Sequence, residues 1–130
     1  MKVLLDTCAI LWAISMPEKL SEEAIRVLED AATEVFVSPI SCAEIACLQE
    51  RGRIELDCHW KSWFDYYIKL NDWTVIDITL PIIQDAFALP SPFHTDPADR
   101  IITATARNRS LKLITGDLKI IAYPFVETLQ

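Results

Sequence analysis

Four acids, Asp6, Glu44, Asp99 and Asp117, stand where strands are expected to end or helices to begin. The signal is densest around Asp99. The stretch His94-Thr95-Asp96-Pro97-Ala98-Asp99-Arg100 follows Pro90 and Pro92, which end the preceding helix and hold the chain extended. Asp96 offers an N-cap oxygen, and Pro97 fits the first helical position. Asp99 then projects from the first turn, and the apolar run 101–106 buries the helix behind it.

Carboxylates in such places have two uses. Taken singly, each is an ordinary cap or a favourable charge at a helix N-terminus. Gathered in one pocket, they conflict: two carboxylates about 5 Å apart repel by roughly 3 kcal/mol at an effective dielectric near 20. They must then hold protons at raised pKa or share a cation. Oxygen donors without thiols or imidazoles in the set favour a hard cation, Mg²⁺ or Mn²⁺, over zinc. Such an ion would bind a phosphoryl oxygen, lower the pKa of a water and steady a leaving oxygen.

The elements that would gather these acids follow from hydrophobic periodicity. Residues 2–5, 34–38, 73–78 and 111–115 read as short strands, with 125–129 as a further edge strand. Between them, 7–15, a segment capped by Ser21, 60–70, 79–89 and the segment after Asp96 read as helices. Ser41 and Glu44 have the S-x-x-E form of a capping box, predicting a helix from there to Arg51 with Gly52 at its C′ position. In the 79–89 helix Ile83 and Phe87 are expected to face inward. Strands alternating with helices predict a three-layer α/β/α sandwich with a parallel sheet of four to five strands. Crossovers in such sheets are right-handed, so the strand C-termini share one edge. That edge, near the switch in strand order, is where ligands bind. Asp6, Glu44, Asp99 and Asp117 are therefore expected on one rim, with Asp96 close by.

Composition narrows the function. With 130 residues, 52% of them hydrophobic and only two glycines, the chain is expected to be one ordered domain, residues 1–130. No apolar run approaches the roughly 18–20 residues of a membrane span. Asp6 interrupts the N-terminal apolar run and no small-residue cleavage site follows, so a cytoplasmic protein is expected, without a membrane partner. Cys8, Cys42, Cys47 and Cys58 lack zinc spacing and are expected to be reduced and packed as small apolar groups. The formal charge of −7 opposes simple nucleic-acid binding, which needs a basic footprint. A bound cation would resolve that conflict by attracting the phosphate that the acidic surface repels. Two isolated glycines cannot build a phosphate-cradling loop, which excludes a nucleotide-binding enzyme of that kind.

Val3-Leu4-Leu5-Asp6-Thr7, the 41–45 segment around Glu44, the 94–100 stretch and Thr115-Gly116-Asp117 together resemble the PIN-domain ribonucleases, specifically the VapC-type toxins of bacterial toxin–antitoxin pairs. The order and spacing of these pieces cover nearly the whole chain. The resemblance implies a PIN-like fold and cleavage of RNA phosphodiester bonds with Mg²⁺ or Mn²⁺. Asp6, Glu44, Asp99 and Asp117 would be the metal-binding catalytic acids, with Glu44 orienting a water and Thr115 bonding one. It also implies a homodimer and a cognate antitoxin that blocks the site. Cys8 departs from the family pattern, in which a histidine or another polar residue is common.

Other residues carry bland readings beside functional ones. Asp96 is an N-cap before it is a ligand-supporting group. Arg100 is expected in an internal ion pair, and His94 bonded to nearby backbone rather than moving protons. Trp60, Trp63, Phe64 and Tyr67 recur at helical spacing and are expected in packing rather than base stacking. Arg51, Arg53, Arg107 and Arg109 suit solvated helix ends as well as RNA. Two other functions remain open at this point. A receiver-like signalling domain would use Asp77 as phospho-acceptor, but the chain lacks an adjacent acid pair after the first strand and a lysine ending the 111–115 strand. A non-enzymatic binding module would use the acids only as caps.

Overall fold

The computed structural model describes residues 1–130. Five strands, β1 (Lys2–Leu5), β2 (Glu34–Val37), β3 (Thr74–Val75), β4 (Lys112–Ile114) and β5 (Thr128–Leu129), form one sheet in the order β3-β2-β1-β4-β5. Every pairing is parallel. The chain steps outward from β1 through β2 to β3, then returns to the far side of β1 for β4. The switch in strand order therefore lies between β1 and β4, where Asp6 N–H donates to Ile114 O at 3.2 Å.

Alternation along the strands divides the core. Val3, Leu5, Val35, Val37 and Ile114 face a cluster completed by Ile10, Ala24, Ile45 and Trp63. These come from α1 (Thr7–Ser15), α2 (Glu22–Glu29), α3 (Pro39–Glu50) and α4 (Trp60–Leu70). Leu4 and Leu113 face the opposite way, toward Ile102, Ala106 and Ile120. That side is covered by α6 (Pro97–Arg109) and α7 (Leu118–Ile121), while α5 (Leu80–Ala86) packs against α6. The period-2 pattern of β1 thus produces the three-layer α/β/α sandwich that the alternation predicts. No helix is long and apolar enough to cross a membrane.

Several local expectations are corrected. The third helix starts at Pro39, capped by Ser38, three residues before the S-x-x-E pattern places it. Ser38 followed by Pro39 at the first helical position outcompetes the capping box. Ser41 is consequently fully buried inside the helix. The 73–78 and 125–129 strands shrink to two residues each, both at sheet edges where hydrogen bonding is one-sided. In α5, Ile82 and Ala86 are buried against Ile101 and Ala104, whereas Phe87 is 59% exposed. The register of α5 is set by α6 rather than by the sheet. The cysteines are free, but Cys8, Cys47 and Cys58 are exposed rather than packed. Trp63 and Phe64 are buried in the core, as expected of the aromatic stripe. Gly52 has φ 68°, the left-handed conformation of a C′ glycine.

Candidate active site

The acidic residues take their positions from helix starts. Asp6 follows β1 and caps α1, its Oδ1 accepting the Ala9 N–H at 2.8 Å. Asp117 follows β4 and caps α7, accepting from Lys119 N–H at 2.8 Å. Asp96 caps α6 and accepts from the Asp99 N–H at 3.0 Å, so Asp99 projects from the first turn. Glu44 lies further into α3, in its second turn. Asp6 and Asp117 are thus both helix caps and rim acids, whereas Asp99 and Glu44 join the rim from within their helices.

The structure brings Asp99 and Asp117 together with His94: each can place one ligand atom so that all lie within 4.8 Å of one another. His94 Nε2 is 3.4 Å from Asp99 Oδ2, and otherwise has no hydrogen-bond partner. The expected backbone bond of His94 is replaced by this contact and by stacking on Phe93, with ring centroids 4.6 Å apart. Asp6 and Glu44 stand outside that tightest group but within its electrostatic reach. Burial pushes the Asp99 carboxyl up to about 7, and Asp96, Glu44, Asp117 and Asp6 add to the effect. The Cys8 thiol registers the same field. Desolvation, then Asp6, Glu44, Asp99 and Asp117, raise it to about 11.

Two of the acids are held by neighbours on other elements. Asp6 is nearly inaccessible and its pKa is raised by burial, although the Thr115 hydroxyl and the Ala9 N–H favour its ionised form. Glu44 is raised by burial, countered by a hydrogen bond that its Oε1 accepts from the Thr7 hydroxyl, with Asp96 adding repulsion. Thr7 Oγ1 also lies 3.0 Å from the buried Ser41 Oγ. Thr115 is fully buried and its Oγ1 accepts the Asp117 N–H at 3.0 Å, linking the two acids that flank the strand switch.

Gly116 sits between Thr115 and Asp117 under the Trp12 indole. A Cβ there would fall 2.4 Å from two ring atoms, so only glycine permits this approach. Arg100 does not make the expected ion pair. Its guanidinium donates to Ala86 O at 3.1 Å and Phe93 O at 3.3 Å, tying the loop before α6 to α5. Asp77 is exposed just beyond edge strand β3, far in strand order from the β1/β4 switch.

Sequence reasoning missed Thr7 as the partner of Glu44 and His94 as a member of the tightest group. Thr7 follows Asp6 and His94 opens the stretch containing Asp99, but nothing in either local pattern specifies a contact across elements.

The donor set suits a hard divalent cation. It consists of carboxylate oxygens with one imidazole at its border, and burial, reinforced by neighbouring carboxylates, holds Asp6, Glu44 and Asp99 above the ordinary carboxylate range. The acids gather where strand order switches in a parallel doubly wound α/β sheet, which is where such folds bind ligands. The chain belongs to the PIN-domain family, whose model matches residues 3–126. Ribonuclease VapC22 of Mycobacterium tuberculosis is 37% identical over 118 residues, covering 91% of this chain and 88% of that one. VapBC2 from Rickettsia felis bound to a promoter DNA fragment superposes with a TM-score of 0.73 at 17% identity, covering 98% and 97% of the two chains. A toxin–antitoxin complex from Klebsiella pneumoniae gives 0.64 at 22% identity over 95% and 94%. At those identities the likeness to the solved structures concerns the fold.

Proposed function

We propose that this protein is a metal-dependent endoribonuclease that hydrolyses RNA phosphodiester bonds and serves as the toxin of a toxin–antitoxin pair. The observation that carries the reading is the gathering of carboxylates at the β1/β4 switch, where Asp99 and Asp117 place ligand atoms within 4.8 Å of each other and of His94, with Asp6 and Glu44 near enough to help raise the Asp99 pKa. Membership of the PIN-domain family and the 37% identity to a protein named a ribonuclease support it. The Klebsiella toxin–antitoxin complex supports a cognate antitoxin as partner.

Asp6, Glu44, Asp99 and Asp117 would hold Mg²⁺ or Mn²⁺. When bound, such an ion supplies charge neutralisation at the phosphate and a more acidic water. The protein's own groups supply orientation. Thr115 and the Ala9 N–H fix Asp6, while the Thr115–Gly116 turn beneath Trp12 fixes Asp117. Thr7 engages Oε1 of Glu44 and leaves Oε2 without a protein partner, where it would face the ion or orient a water. Burial of the rim strengthens each of these interactions by lowering the local dielectric.

The test is incubation of the purified protein with total RNA, with and without Mn²⁺ and with excess chelator, followed by mapping of the new ends. Cleavage that requires the ion and disappears in Asp6→Asn or Asp99→Asn is expected. Full activity in either variant, or in chelator, would refute the reading.

A further inference from the structure

Two grooves open on opposite sides of the acid rim, and neither is used by the chemistry above. The first, a cavity of about 590 Å³, lies between α3 and the start of α6. Glu44 and Asp96 form its border with the rim, Ile40, Ala43, Leu48 and Pro97 give it an apolar floor, and Arg51 stands at its wall. The second, about 440 Å³, lies between the 92–94 loop and α7 with the loop that follows it. His94 borders the rim there, Phe93 and Tyr123 supply aromatic lining, and Lys119 is the cation. Because β2 and β4 flank β1 on opposite sides, α3 and α7 put these grooves on opposite sides of Asp6.

The cations are available to a ligand. Neither Arg51 nor Lys119 lies within 4.0 Å of a carboxylate oxygen, and neither side chain makes a hydrogen bond within the protein. Both are exposed. In a chain of net charge −7, one unpaired cation in each groove beside an acid site is a charge pattern complementary to a polyanion. Apolar and aromatic surface next to a phosphate-binding cation is what an unpaired nucleotide uses. Both volumes fall within the range of about 300–1,000 Å³ for small-ligand sites.

We propose that single-stranded RNA crosses the rim with a flanking nucleotide seated in each groove, its phosphates met by Arg51 on one side and Lys119 on the other. The proposal rests on the ribonuclease reading and adds to it the two subsites that select the sequence around the cut. Bound RNA would cover Cys47, which lines the first groove and is exposed, but not Cys58, which is exposed on the segment before α4.

The experiment uses the full chain carrying Asp6→Asn to prevent cleavage, a short single-stranded RNA oligonucleotide, and iodoacetamide, with alkylation of each cysteine read by mass spectrometry. RNA is expected to slow alkylation of Cys47 while Cys58 is unaffected. In the otherwise wild-type protein, Arg51→Glu and Lys119→Glu should each raise KM roughly tenfold with little change in kcat, as expected for uniform binding contacts. Each of Arg51→Gln and Lys119→Gln should lower the salt-dependence slope of RNA binding by about 0.7, the value for one phosphate on a single strand. Wild-type cleavage of RNA with Cys47 unprotected, or with KM unchanged in both charge reversals, overturns the grooves and leaves the ribonuclease reading intact. Protection of Cys47 by a basic peptide and not by RNA assigns the groove to a protein partner and overturns the proposal. Failure of the wild-type protein to cleave any RNA removes the reading beneath it.

Discussion

Leu5 and Asp6 are neighbours at the end of β1, 0% and 6% exposed, and their burial has opposite consequences. Leu5 joins Val3, Ile10, Val37 and Ile114 in the larger core cluster, where removing apolar area from water stabilises the fold. Asp6 carries a carboxylate into the same low-dielectric setting, and desolvation raises its pKa. The difference extends to the regions they belong to. The sheet interior holds the three layers together, while the rim one residue beyond it gathers groups that repel one another. The rim persists because the caps, Thr7 and Thr115 hold each acid by at least one hydrogen bond or helix start, and the core stabilises the whole.

The comparison breaks most visibly at Asp99. Replacing it with Asn removes a carboxylate that the proposed metal site would use and the fold does not need. RNA cleavage is expected to fall by roughly 10²–10³-fold, the scale of several kcal/mol of lost transition-state stabilisation. The thermal midpoint of the metal-free protein should not fall. Equal losses of activity and stability would mean that Asp99 is structural. The converse change is Leu5→Ala, which should lower unfolding stability by about 3 kcal/mol through lost burial and a residual cavity. Turnover per folded molecule, measured well below the midpoint, should be nearly unchanged.

Gly116→Ala tests the seam between the two regions. The new Cβ collides with Trp12, so the turn carrying Asp117 or the indole must move. Overpacking of this kind destabilises by about 1–3 kcal/mol. Activity should drop through displacement of Asp117, and Trp12→Leu in the same chain should restore part of both losses. A Gly116→Ala variant with wild-type activity and midpoint would show that Asp117 does not depend on this contact.

The same division explains what the sequence made legible. Short apolar runs such as Val3-Leu4-Leu5 and Val35-Phe36-Val37 alternate along the chain with helical segments, and that order specified the layers; which residue faces which layer is visible only in the structure. Asp6, Asp96 and Asp117 were readable as caps because a cap is defined by its nearest neighbours in sequence. Placing the acids on a common rim required only parallel topology. Contacts between elements were not readable. The face that α5 buries depends on α6, about fifteen residues further on, which is why Ile82 and Ala86 rather than Phe87 point inward. Two valid N-cap signals overlap at Ser38 and Ser41, and Pro39 at the first helical position decides for Ser38, leaving Ser41 to pack against Thr7 inside the helix. Arg100 found carbonyl oxygens rather than a carboxylate because the 90–93 loop folds over it, a geometry with no local signature.

The effect most diagnostic of a rim at odds with its core needs no substrate. In the folded protein Asp99 has its pKa raised from 3.8 to about 7. The folded state therefore holds this proton more tightly than the unfolded state. The contribution to stability is fully present below pH 4 and is lost as pH rises from about 4 to about 7, because ionising the buried acid beside Asp96, Glu44 and Asp117 is easier once the chain unfolds. Asp6 and Glu44 are shifted the same way and add to the slope. In chelator, the thermal midpoint of the wild-type protein should fall across this window more than that of Asp99→Asn. The two proteins should converge near pH 4, with the variant the more stable at pH 7.5. Adding Mg²⁺ or Mn²⁺ at pH 7.5 should raise the wild-type midpoint, since a ligand that binds only the folded rim stabilises it by mass action. The variant should respond less. A flat wild-type profile that matches the variant from pH 4 to 7.5 would show that the rim acids are not coupled in solution, and the contrast between Leu5 and Asp6 would then be one of side-chain type alone.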